Sequence, residues 1–283
     1  MKVKSYITGQ RWLEERPLAA DGAAPPAEER SDPASDEIAR VLSDVVRSTN
    51  LVVLTGLGTS LCIKEGDNPK APTMAALWTA VHRVYAQPVQ GRASWDEILA
   101  IARQPAGNEN IEELLSRSKT AESFDSGENV QKIRRFIDDA EKIIREKVDF
   151  LEPNEELPIH ESFLRRLARR SVRRERLRLF TTNYDRGFEH AAQRAGFVII
   201  DGFTLSQPSF FDPMHFSYDI VRRNEQPEAP DYIENLFHLY KIHGSIDWEF
   251  DQETKRINKA PKTDHPLLIY PRSTKYELAF AQP

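Results

Sequence analysis

The stretch Leu177–Glu189, LRLFTTNYDRGFE, constrains the fold of this chain most. Leu177, Leu179 and Phe180 form a short apolar run that reads as a buried strand. The run stops at Thr181, Thr182, Asn183, Tyr184 and Asp185, and a helix-like pattern follows. Two other segments have the same grammar: Leu54-Thr55-Gly56-Leu57-Gly58-Thr59-Ser60 after LVVLT, and Lys241-Ile242-His243-Gly244-Ser245 after LFHLYKI. In open α/β sheets ligands bind outside the carboxyl ends of the strands, where loop residues gather at the rim of an apolar crevice. Three such strand ends, one rich in glycine and two carrying polar side chains, predict an α/β sheet with a nucleotide-handling site.

Composition narrows the alternatives. A net charge of −5 exerts no global pull on nucleic acid or anionic membrane. No run reaches the ~18 apolar residues of a membrane span. The opening MKVKSYITGQRW lacks the apolar centre of a signal peptide, so a cytoplasmic location is expected. The single cysteine, Cys62, excludes an internal disulfide and a zinc site built on several thiolates. At 283 residues the chain has room for one large domain or two smaller ones.

Glu14–Ser35 is rich in Pro, Ala and charge without apolar periodicity, and reads as a flexible linker. From Asp36 onward, Ile38, Val41, Leu42 and Val45 share one face of a predicted helix, and Leu51–Leu54 follows as a strand. The turn after it holds the first two glycines of a dinucleotide fingerprint but has Leu61 at the third. No acidic residue stands about twenty positions on to hold a ribose hydroxyl, so an ordinary dehydrogenase is disfavoured. Alone, the turn is equally compatible with a plain tight turn. Cys62 beside it reads as a small buried residue.

Thr73 to Asn154 is helical in character. Thr73 and Asn110 stand at capping positions, and Val130, Ile133, Phe136, Ile137, Ala140, Ile143, Ile144 and Val148 keep one long face apolar. So much helix between two strands exceeds a single crossover and predicts a helical insertion, about residues 61–157, covering the cleft. Glu112 and Glu113 can face that cleft, but solvated helix charges are the expected reading. Pro158–Arg178 is predicted as one arginine-dense helix, with eight arginines from Arg165 to Arg178 that raise the question of nucleic acid or an acidic partner. With a negative total charge and no interleaved aromatics, a solvated surface is preferred, and direct nucleic-acid contact through Arg165–Arg178 stays the alternative. His160 reads as structural.

At the central stretch, Asn183 offers a carboxamide that both donates and accepts hydrogen bonds. Asp185 can bind a hydroxyl or cap the following helix, and from the residues alone capping is favoured. Phe203–Asp231 reads as a loop weighted by Phe210, Phe211, Phe216 and Tyr218, either a lid or simple aromatic packing. His243 sits at a strand end beside Gly244, which leaves room for a substrate. Its reference pKa near 6.5 lets neutral imidazole take a proton.

The order GLGTS, TTNYD, IHGS, from about Leu51 to the last residue, resembles the sirtuin-like family, whose members carry Gly-Ala-Gly-x-Ser, then Asn-x-Asp, then His-Gly. Asn110-Ile111-Glu112-Glu113-Leu114-Leu115, Thr181–Asp185, and Tyr270-Pro271 with Lys275, Tyr276 and Phe280 resemble its NAD-hydrolysing branch in bacterial anti-phage defence. Leu57 departs from the family's alanine, and Thr182 and Tyr184 from the Gln and Ile of its deacylases. The paired zinc cysteines that deacylases place after His-Gly are absent. The family places a further strand with a Gly-Tyr-Ser-like turn later, so the sequence is expected to be a fragment.

The resemblance implies a Rossmann-like doubly wound parallel sheet over residues 37–283, without a zinc module, after an N-terminal segment and linker over residues 1–36. It implies NAD as substrate, no metal, and cleavage of the nicotinamide–ribose bond to ADP-ribose and nicotinamide. Asn183 would orient water and ribose, His243 would act as general base, and Asp185 would hold the ribose or the nicotinamide amide. Gly56, Gly58 and Ser60 would face the diphosphate, with Thr59, Thr182, Tyr184 and Gly244 completing the NAD site. The implied setting is a homo-oligomeric NAD-depleting effector of abortive infection, with a HerA-type ATPase or Argonaute-like partner. The competing readings are an NAD-dependent protein deacylase and a non-catalytic nucleotide-sensing or scaffold subunit.

Overall fold

The structure, a computed structural model, describes residues 2–3, 12–14, 32–223 and 230–270. It divides into two compact units, Met1–Leu51 and Val52–Pro283. In the first, β1 (Lys2–Val3) pairs antiparallel with β2 (Leu13–Glu14), and α1 spans Pro33–Arg47. The helix begins earlier than Asp36 because Asp32 accepts from the Ser35 amide and Pro33 takes the first helical position, where a missing N–H costs nothing. Its predicted apolar face is real but open, with Val41, Leu42 and Val45 all exposed. Residues 15–31 of the expected linker lie outside the described residues.

The second unit is mixed α/β. Its centre is a parallel four-stranded sheet of β3 (Val52–Thr55), β6 (Arg178–Thr181), β7 (Val198–Ile200) and β10 (Leu236–Lys241), in the order β3-β6-β10-β7. Flanking helices make it consistent with a Rossmann-like α/β fold. Thr55, Thr181 and Lys241 are level across the three adjacent strands, so the predicted strand ends open on one edge. β10 is buried at every position except the half-buried Tyr240, as a central parallel strand must be. At the edge of the sheet, Val52 and Leu54 remain exposed.

Between β3 and residue 150 come α2 (Leu57–Ser60), a small hairpin of β4 (Lys64–Glu65) and β5 (Asn68–Pro69), and four longer helices. These are α3 (Met74–Tyr85), α4 (Trp95–Ile101), α5 (Ile111–Phe124) and α6 (Glu128–Val148). Thr73 and Asn110 cap α3 and α5 as their spacing predicts. The short α4 is too brief for apolar periodicity to mark it, and its local signal is the reciprocal capping box of Ser94 and Glu97 at its start. Val81, Ile98, Ile111, Leu114, Leu115, Ile133, Phe136 and Ala140 meet in one core, which extends to Tyr184, Ile246 and Tyr270. The helical group is thereby packed against the loop after β6.

α7 (Pro158–Leu167) is much shorter than predicted. From Arg169 the chain turns, with the Arg174 amide bonded to the Ser171 carbonyl, so the arginines do not share one helical face. Arg165 pairs with Glu161, Arg176 with Asp219 and Arg178 with Glu175, while Arg170 is buried. α8 (Gly187–Ala195) packs on α7 and ends at Gly196 in the left-handed conformation.

The predicted loop over 203–231 contains a 3-10 turn (Pro213–Ser217) and β8 (Val221–Arg222), which pairs with β9 (Asp231–Tyr232). Phe216 packs on the sheet, stacking on Tyr240 at 4.1 Å between centroids, with Tyr240 on Phe180 at 4.4 Å, whereas Phe211 packs against Phe203 and Trp248 and Tyr218 is exposed. After β10, β11 (Gly244–Ser245) pairs with β14 (Leu267–Leu268), enclosing the hairpin of β12 (Trp248–Asp251) and β13 (Arg256–Lys259). No helix among the described residues is long and apolar enough to cross a membrane. Pro271, Lys275, Tyr276 and Phe280 lie outside the described residues.

Candidate functional site

A cavity of about 200 Å³ opens at the carboxyl edge of the sheet. Thr182, Asn183, Tyr184 and Asp185 from the end of β6 line one side, with His243 from the end of β10 and Glu112 from the first turn of α5. Leu57, Ala71, Pro72, Met74, Leu77, Val148 and Phe150 form the apolar remainder. Asn183 and His243 thus line one space. A larger hollow of about 630 Å³ lies beside α5, around Arg103, Arg117 and Phe124; Asn110 and Glu113 line it, but none of the residues expected to touch NAD does.

The Asn183 carboxamide is oriented by the glycine turn. Its Nδ2 lies 3.1 Å from the Gly56 carbonyl, 3.3 Å from Thr59 Oγ1 and 2.7 Å from Ser60 Oγ. A carbonyl only accepts, so the amide nitrogen must face it. Both hydroxyl hydrogens are spent elsewhere: Thr59 donates to the Gly56 carbonyl and Ser60 donates to Asp185 Oδ2 at 2.6 Å. The network therefore has one consistent direction.

Ser60 is buried inside this network, so its hydroxyl does not face the cavity as a diphosphate donor. Asp185 is also buried, and its second oxygen accepts from the Gly187 amide at 2.9 Å, the capping role its sequence position suggests. At Gly56 a Cβ would come within 3.1 Å of Thr182 Oγ1, whereas the space beside Gly58 is open. A flat ligand can approach the backbone there. Thr182 is tied back to the sheet through its amide, which donates to the Thr55 carbonyl.

Lys241 was visible in sequence only as the end of a strand. Its ammonium is buried and donates to the carbonyls of Tyr184 and Asp185, at 3.4 and 2.5 Å, and to Glu189 at 3.0 Å. A buried cation with three acceptors clamps the loop after β6 onto α8. Burial pushes the Glu189 carboxyl above the usual range, and the charge of Lys241 opposes that rise.

Tyr184 is buried, and its hydroxyl donates to Glu112 at 2.9 Å. Burial, reinforced by the Glu112 charge, holds that hydroxyl well above the ordinary phenol range, so it stays protonated. Behind it, Tyr270 donates to Glu141, which also pairs with Lys119. Glu112 therefore belongs to the site rather than to a solvated face, while Glu113 turns away to bond Asn108 and Arg117. Only the packing of α5 against Tyr184 separates these neighbours.

His243 is half-buried, its ring tilted against that of Tyr184 at 6.3 Å. Gly244 meets a demand of the backbone. It has φ +80, and a Cβ would stand 2.1 Å from the Leu267 carbonyl oxygen. Cys62 and His160 approach one another at 3.9 Å behind Asp185, but burial raises the thiol and lowers the imidazole, so neither ionises to make a nucleophilic pair. His160 is 4% exposed and structural, as expected.

No group of three or more His, Cys, Asp or Glu among the described residues is arranged to hold a metal ion. The chain matches no known family's sequence profile, and no curated protein matches its sequence.

Proposed function

We propose that this protein is an NAD+ glycohydrolase, converting NAD+ and water to ADP-ribose, nicotinamide and a proton. The observation that carries the reading is the meeting of Asn183 and His243 in one cavity at the ends of neighbouring parallel strands. The likeness of GLGTS, TTNYD and IHGS to sirtuin-like NAD hydrolases gives that pairing its chemistry. Cavity size fits the role: a space of about 150 Å³ takes one benzene ring, so about 200 Å³ suits a single ring bearing a carboxamide.

In this reading the glycine turn holds the amide nitrogen of Asn183, leaving the carboxamide oxygen to position a water. The imidazole of His243 takes the proton released as that water, or a ribose hydroxyl activated in its place, attacks. Asp185, satisfied by Ser60 and Gly187, acts by holding the loop rather than by exchanging protons. The open space beside Gly58 is the approach for the diphosphate. A partner ATPase or Argonaute-like protein, a homo-oligomer and a role in anti-phage defence belong to the same proposal and rest on the resemblance alone.

The test is incubation of NAD+ with the full-length protein, with products separated chromatographically. ADP-ribose and nicotinamide in equal amounts support hydrolysis. O-acyl-ADP-ribose formed only with an acylated peptide would replace it by deacylation. Tight NAD+ binding without consumption, with or without a partner, would leave a nucleotide-sensing subunit.

A further inference from the structure

Phe124 closes α5 with its side chain 86% exposed, more than any other aromatic among the described residues. It stands at the rim of the hollow of about 630 Å³ beside that helix. Helix neighbours three and four apart share a side, so Glu113, Arg117, Thr120 and Phe124 form one row along the hollow. The two ends of the row differ in charge. At one end the Arg103 carbonyl accepts from Arg117 at 3.2 Å, while the Arg103 guanidinium pairs with no carboxylate among the described residues. At the other end Asp125 accepts from Asn129 at 3.3 Å and pairs with no cation among the described residues. Between them Glu113 and Arg117 offset one another at 2.8 Å.

We infer that this face joins two copies of the chain across a two-fold axis, with their α5 helices antiparallel. In such an interface one patch must complement itself, each residue meeting a different residue of the other copy. This patch carries both halves of each contact: a ring beside a hollow, and an unpaired cation at the opposite end from an unpaired anion. Each Phe124 enters the hollow of the other copy, and each Asp125 meets the partner's Arg103. A space of about 150 Å³ takes one benzene ring, so the hollow has room for a phenyl group. The axis falls near Thr120 and Ala121, whose small side chains let two helices approach closely. A foreign partner would have to supply a ring, a hollow and both charges in the same order. This pairing stands apart from the activity proposed above, and NAD+ plays no part in its test.

The full chain is sedimented over a range of micromolar concentrations at low and high salt. Association is expected in the wild type, weakening with salt. Phe124→Ser is expected to raise the dissociation constant of that step by about tenfold or more. Arg103→Asp and Asp125→Arg should each weaken it about tenfold, and the double reversal should return it to within about threefold of the wild type. Asp suits position 103, where φ is +51 and the left-handed region tolerates it. Circular dichroism checks that all four variants remain folded. A wild type that stays monomeric throughout, undiminished association of Phe124→Ser, or a double reversal no tighter than either single change would each overturn the inference.

Discussion

Asn183 Nδ2 lies 2.7 Å from Ser60 Oγ, a hydrogen bond between residues 123 positions apart. Through it the glycine turn after β3 and the polar loop after β6 become one structure. Ser60 passes the connection to Asp185, and Lys241 holds the same loop from below through the Asp185 carbonyl. Asn183 and Asp185 are therefore both positioned by a residue from another strand end.

If Asn183 and His243 carry the reaction, Asn183→Ala and His243→Ala will each lose about a hundredfold or more in turnover, the lower range for a general base. Circular dichroism and thermal melts will show both variants folded. Near-normal NAD+ consumption by either one removes that residue from the mechanism.

Ser60→Ala deletes the donor to Asp185 and the acceptor of Asn183 in a buried place. Leaving such groups unpaired costs roughly 1–3 kcal/mol. The urea midpoint is expected to fall accordingly, with turnover reduced by the loosened carboxamide. An unshifted midpoint would show that Ser60 is not the link between the two loops.

Lys241→Met strands Glu189 and two carbonyls without their cation, and losing one member of a buried pair costs roughly 3–5 kcal/mol. Adding Glu189→Leu removes the orphaned carboxylate, so the double variant should be more stable than Lys241→Met alone. Chemical denaturation of the four-protein cycle reads this directly. Strict additivity of the two changes would mean that the pair does not couple.

Gly244→Ala forces a Cβ onto a backbone with φ +80 and into the Leu267 carbonyl. The left-handed backbone alone costs roughly 1–2 kcal/mol, and the clash adds to it by parting β11 from β14. A substantially lower melting temperature is expected. A melting curve like that of the wild type would show that the β11–β14 contact is dispensable.

Stability should fall on mild acidification. Burial holds the imidazoles of His160 and His238 below their ordinary value, so the folded chain resists a proton that the unfolded chain accepts near pH 6.5. Their contribution is complete above about pH 6.5 and is lost as pH drops through the lower folded values, at no more than about 1.4 kcal/mol per pH unit for each. Glu189, raised by burial, titrates in the opposite sense, so comparison with His160→Gln isolates the histidine slope. Urea midpoints that do not change between neutral pH and pH 5, or an identical slope in His160→Gln, would refute the assignment.

Much of this architecture could be read along the chain. The strand ends at Thr55, Thr181 and Lys241 were marked by apolar runs stopping at polar clusters, and the caps at Thr73 and Asn110 by their side chains. The arginine-dense segment misled because periodicity continues past Leu167 in composition but not in backbone: the turn at Ser171 and the pairing of Arg176 with Asp219 are tertiary choices. Ser60 and Gly244 stand in motifs that suggest ligand contact, and the folded chain adds a neighbour that each answers to, Asp185 in one case and the Leu267 carbonyl in the other.

Local order thus dictates which segments become strands and helices, and which polar residues stand at strand ends, since turn chemistry and periodicity act over a few residues. The partnership of Glu112 with Tyr184, the clamp of Lys241 on the loop and the division of labour between Glu112 and Glu113 have no local signature. They arise because α5 packs against the loop after β6, which sets Glu112 on the Tyr184 hydroxyl and leaves Glu113 to Asn108 and Arg117, and contacts between segments so far apart in sequence are decided by packing alone.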